Sequence, residues 1–124
     1  MNALAVQKAV VDALDAALDT PVFDHVPQDQ AMPFVSVAAQ DIGDADTLTS
    51  RAWRHVLTLS VWSEHRGQKE VLEILAEIDG ALHDAKLSLE SGTAILARIV
   101  DSRSRADQDG KTYIGTVTLR VDVV

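Results

Sequence analysis

The 124-residue sequence contains no cysteine, only three prolines and five aromatic side chains, and fewer basic than acidic residues. Without cysteine there is no disulfide scaffold, thiolate metal site or thiol nucleophile, and the chain fits a reducing compartment. Eleven Lys and Arg against nineteen Asp and Glu give a net charge of −8, which opposes close approach to a phosphate backbone or an anionic membrane. No apolar run approaches the roughly 18–20 residues needed to cross a bilayer. Asp12, Asp15 and Asp19 interrupt the opening segment, where a secretory signal would need a basic start and an unbroken apolar stretch. The expectation is a soluble protein. What is present, 47% apolar and 24% charged side chains, suits one globular domain over residues 1–124.

Periodicity supplies the elements. Across residues 2–19, Val6, Val10, Leu14 and Leu18 recur at helical spacing opposite Lys8, Asp12, Asp15 and Asp19, and Thr20-Pro21 ends the pattern. Val22–Val26 reads as a short edge strand and Phe34–Ala39 as a stronger one. Residues 41–51 gather Asp41, Asp44 and Asp46 around Gly43 with no sustained period, which reads as an exposed acidic loop. Strict alternation then places Trp53, His55, Leu57, Leu59 and Val61 on one strand face, and Arg54, Val56, Thr58, Ser60 and Trp62 on the other. Val71, Ile74, Leu75, Ile78, Leu82 and Ala85 mark a second amphipathic helix, and Ser88–Thr93 is turn-like. Two β-rich runs, 94–105 and 111–124, flank Asp109-Gly110, a pair suited to a tight hairpin. The order α-β-β-β-α-β-β predicts an α+β fold: an antiparallel-dominated sheet of about four to five strands with two helices on one face.

Candidate chemistry is sparse. The serines lack a nucleophile-elbow motif, and His25, His55, His65 and His83 lack the spacing of a helical zinc site. Aligning Gly110 with the glycine of a calcium loop puts Arg105 and Thr116 where acidic ligands belong, so a hairpin turn is the better reading. No glycine-rich phosphate loop occurs. The expectation is therefore no catalytic, metal or cofactor residue. Two features invite contact instead. Arg103, Arg105 and Asp107, beside Asp109, either form ion pairs within a solvated hairpin or meet complementary charges on another copy of the chain. Trp62, opposite the Leu57-Leu59-Val61 face, is either covered within the subunit or a subunit contact.

These features together are similar to a known family. An opening helix ending near Pro21 is followed by a Val-Pro-x-x-x-x-x-Pro-Phe-Val segment at 26–35 and the acidic loop. A strand ending Val61-Trp62-Ser63 then precedes Gly67 and the second helix, and Asp107-x-Asp109-Gly110 with Gly115 closes the pattern. The whole resembles the tail-terminator, or tail-completion, proteins of long-tailed bacteriophages and alphaproteobacterial gene transfer agents. The resemblance implies a non-enzymatic homo-oligomer, usually a hexameric ring, on the head-proximal end of the tail tube. Such a ring stops tube polymerisation and meets the head connector or neck protein, while DNA passes through its lumen without tight binding. It also implies assembly in the bacterial cytoplasm and residence in the finished particle, with no membrane partner. Loop Asp41–Ser50 and hairpin Arg103–Thr112 are then the expected partner-facing regions. Two alternatives stand beside it: another head-tail connector or neck protein, and a small ligand-binding domain with a pocket near Trp53 and His55.

Overall fold

The computed structural model describes residues 2–123. Helix α1, Ala3–Ala17, buries Val6, Val10 and Leu14 along one stripe. It ends at Leu18, whose backbone turns to the extended region just before Thr20-Pro21. Strand β1, Val22–Phe23, runs parallel to the start of β2, Phe34–Asp44, pairing with Val35 and Ser36. Strand β3, Trp53–Ser63, follows antiparallel to β2, with a register shift between Val37 and Ala39. Helix α2, Lys69–Leu82, then buries Val71, Ile74, Leu75, Ile78 and Leu82. Strands β4, Ala85–Ser88, β5, Ala94–Ala106, and β6, Tyr113–Val123, complete the chain. Val124, the last residue of the expected final strand, lies outside the described residues.

The strands form one sheet in the order β1-β2-β3-β6-β5-β4, antiparallel except for the β1–β2 pair. Both helices lie on one face, as the amphipathic stripes require. Their apolar sides meet Val35, Leu57, Leu59, Val61, Val117, Leu119 and Val121 in a continuous core. Burying a side chain of this size contributes roughly 1.5–3 kcal/mol relative to leaving it exposed. Gly115 sits where α2 crosses β6: a Cβ there would lie 2.9 Å from Val71 Cγ1 and 3.1 Å from Leu75 Cδ2.

The fold is the expected α+β class, with six strands where about four to five were expected, a first strand of Val22–Phe23 in place of Val22–Val26, and two further differences of detail. Helix α2 stops at Leu82, Asp84 takes a left-handed backbone (φ 53°), and Ala85 begins β4 where the periodicity extended the helix. The acidic segment divides: residues 41–44 are the end of β2, paired to Val56–Trp53, and only residues 45–52 form a loop. Strand β3 alternates as read, with His55, Leu57, Leu59 and Val61 buried and Arg54 exposed.

Candidate assembly surface

The expected contact residues fall on two opposite edges of the sheet and on its helix-free face. Asp41 and Asp44 lie on β2, and Asp46 lies in the loop that follows. Arg103 and Arg105 lie on β5, and Asp107 and Asp109 in the β5–β6 hairpin. Strands β3 and β6 stand between β2 and β5, about 14 Å of sheet, so Asp41 and Asp44 do not meet Arg103 and Arg105 within one chain.

The loop after β2 is organised by its own polar groups. Asp44 Oδ1 accepts from the Asp46 amide at 2.7 Å, and Asp46 Oδ1 accepts from the Ala52 amide at 2.7 Å. Ala45 N–H donates to the Ala52 carbonyl at 3.0 Å, and Thr47 N–H to the Ser50 carbonyl at 2.8 Å. The Arg51 guanidinium lies over the Trp53 ring, 5.1 Å from its centre. At the tip, Leu48 is fully exposed. Sequence reading passed over this residue; its one signal is an aliphatic side chain between Thr47 and Thr49 in a polar turn.

The hairpin is likewise held from within. Asp109 accepts hydrogen bonds from the Lys111 amide (2.8 Å), the Thr112 amide (2.8 Å) and the Thr112 hydroxyl (2.6 Å). These donors, with the Thr112 hydroxyl foremost, hold its carboxyl below the usual range. Asp109 is thus committed to its own turn, with Gly110 at φ +72°. Arg105 Nη1 lies 3.7 Å from Asp107 Oδ1, a loose exposed pair, and Arg103 is exposed on the helix-free face.

Trp62 is half-buried on the helix-free face, where it stacks on Phe34 with ring centres 6.3 Å apart, and Phe34 meets Phe23 edge-on. Across the ladder it stands beside Ile114, which pairs in turn with Arg105. The ring is therefore partly covered within the subunit. His55 is buried, with Nδ1 3.1 Å from Gln40 Nε2, an amide that also donates to the Ala3 carbonyl at 3.2 Å. This histidine, on β3, is a buried core residue tied through Gln40 to the first turn of α1, and does not line an open pocket.

Charge is unevenly divided over the surface. Arg54, Lys86, Arg98, Arg103, Arg105 and Arg120 lie on the helix-free side of their strands, against the carboxylates Asp41, Asp101 and Asp122 there. In a chain of net charge −8 that side carries a positive excess, so the helical side is more acidic than the total suggests. Among the described residues no helix is long and apolar enough to cross a membrane.

The exposed chemistry of the chain thus lies along sheet edges, in self-braced loops and on a bare sheet face. The sequence matches the family described as Tail completion protein gp17 over residues 2–123, and the chain belongs to that family. A solved chain from the virion of a native gene transfer agent particle is 26% identical, with a TM-score of 0.85, covering 98% of this chain and 96% of that one. A second solved structure, 17% identical with a TM-score of 0.65, covers 98% of this chain and 92% of that one and shares the fold. No curated protein matches the sequence. The resemblance read from the sequence is therefore correct at the level of family.

Proposed function

We propose that this chain is a tail structural protein acting as one tail-terminator-like domain over residues 1–124. In this reading copies of it form a ring, a hexamer, that caps the head-proximal end of a phage or gene-transfer-agent tail tube. The ring stops the tube from growing and offers its other side to the head connector or neck protein. The observation that carries this reading is the match of residues 2–123 to a tail-completion family, joined to near-complete structural coverage by a chain of a gene transfer agent virion. The work is geometric: one side accepts the tube and the other refuses a further tube ring, so it needs neither catalysis nor a cofactor. In this reading DNA passes through the lumen without tight binding. Assembly would take place in the bacterial cytoplasm, and the finished ring would travel with the particle.

Within this reading Asp41, Asp44, Asp46, Arg103, Arg105, Asp107 and Asp109, together with Trp62, mark the surfaces that face other subunits or the tube. The braced loop, ending in exposed Leu48, is the element offered to the tube or the connector. Deleting the gene from the source particle is the direct test. A terminator leaves tubes of uncontrolled, excessive length when lost. A neck protein leaves tails of normal length that fail to join heads, and that outcome would overturn the terminator assignment.

A further inference from the structure

The sheet ends in two long open edges of opposite charge. On one side β1 covers only Val35 and Ser36 of β2, so among the described residues no strand pairs with the outer edge of β2 from Val37 to Asp44. On the other side β4 covers only Ala94–Ala97 of β5, leaving the outer edge from Arg98 to Ala106 open. These stretches are eight and nine residues long, about 26–30 Å of unpaired backbone each. Such edges are templates for pairing, and proteins that must stay monomeric keep theirs short or covered.

We propose that the two edges are halves of one contact: β2 of one subunit pairs with β5 of the next copy, so that the sheets of neighbouring subunits run on into one another around the ring. This rests on the ring reading above and says which surfaces close it. Three steps of antiparallel pairing separate β2 from β5, so the two run in opposite directions within a subunit. In a head-to-tail ring whose axis follows the strands, neighbours keep their orientation, and β2 meets β5 antiparallel, the more stable pairing.

Charge selects this contact over its rivals. The β2 edge carries Asp41 on the helix-free side, Asp44 on the helical side and no cation, whereas the β5 edge carries Arg98, Arg103 and Arg105 on the helix-free side against a single Asp101. Pairing β2 with β2 brings two acidic edges together, and pairing β5 with β5 brings together two edges that each carry an excess of arginine; the mixed contact joins edges of opposite net charge. Face matching narrows the register further. Asp41, Arg103 and Arg105 all point to the helix-free side, and Ile42, Ser102 and Ser104 to the helical side. A continuous sheet with its faces aligned sets Asp41 opposite Arg103 or Arg105, and Ile42 opposite Ser102 or Ser104: a register on Arg98 would carry Ile42 onto Ala97, which β4 already covers, and a register on Asp101 would set two carboxylates against each other.

The natural absence of cysteine makes the test clean. Full-length chains carrying Ile42→Cys with Ser102→Cys, and Ile42→Cys with Ser104→Cys, are oxidised alone and with tail-tube protein, then sized under denaturing conditions. The expected result for one of the two is a covalent ladder whose largest member matches the ring seen by native mass spectrometry. Each single variant stays monomeric, and an equimolar mixture of the two matching single variants yields dimers and nothing larger. A second measurement reverses charge: Arg103→Glu with Arg105→Glu weakens assembly about tenfold or more, and adding Asp41→Arg restores it. Rings that form without cross-links and ignore the charge reversal would overturn the edge contact and leave the ring reading standing. Dimers from a single-cysteine variant would overturn it in favour of a two-fold contact. A chain that remains monomeric even with tube protein would overturn both the contact and the ring. A cross-linked ring of another subunit number would support the contact while correcting the hexamer.

Discussion

Asp109 shows how one side chain fixes a turn. Its carboxylate is stabilised by donors that exist only when the hairpin is closed, so its folded pKa lies below its unfolded one. The stabilisation is complete above the ordinary aspartate pKa and is lost as pH falls through the depressed folded value. The Thr112 amide resonance should therefore keep its native position through the ordinary aspartate range and move only at lower pH. Asp109→Asn should abolish that transition and loosen the turn at neutral pH, read by NMR titration and amide exchange. At Gln40 one amide joins β2 to His55 on β3 and to the first turn of α1. Gln40→Ala removes both bonds, and urea unfolding should register a loss of about 1–2 kcal/mol.

The elements owe their positions to close contacts at few places. Helix α2 packs closely over Gly115, where Val71 and Leu75 leave no room for a branched side chain. Gly115→Val should cost about 1–3 kcal/mol in denaturant unfolding while preserving secondary structure, with Gly115→Ala milder. This packing explains what could be read from the chain and what could not. Helix α1 and strands β3 and β6 were legible because one buried stripe of fixed period runs along each. Strand β4 was hidden because Ala85 and Leu87 continue the apolar spacing of α2, and the break at Asp84 is a left-handed residue that aspartate adopts without announcing it. Residues 41–44 carry one aliphatic side chain among polar ones, and β3, lying across them, makes them a strand. The charged residues proposed for contact were visible as residues. That Asp41 and Arg103 line opposite open edges was not, because edges are set by the order of strands in the sheet, and the chain passes through β3 and α2 between them.

At the scale of the molecule, the two helices occupy one face and leave the sheet's other face and both its flanks to the surroundings. An assembly built on such flanks through opposite charges should weaken with salt, because exposed pairs are screened over about 8–10 Å at physiological ionic strength. Sedimentation across a salt series should show rings dissociating as salt rises, whereas rings held mainly by apolar contacts would persist. In the particle, replacing exposed Leu48 by Lys should leave the subunit's melting temperature within a few degrees of the parent and reduce the yield of joined, transfer-competent particles. Counting complete particles by electron microscopy, beside a thermal melt, checks both halves of that expectation.

In the proposed ring the loop of residues 45–52 would reach its partner already shaped. Two aspartate side chains and paired backbone groups fasten it across its base and turn before anything touches its tip. A limp segment must surrender conformational freedom on docking, and that loss is subtracted from the affinity of the contact. This loop surrenders little, so a modest tip contact can still hold, and a crowd of identical loops around a ring can engage together without each first having to find its form. Order built in before assembly becomes speed and simultaneity during it.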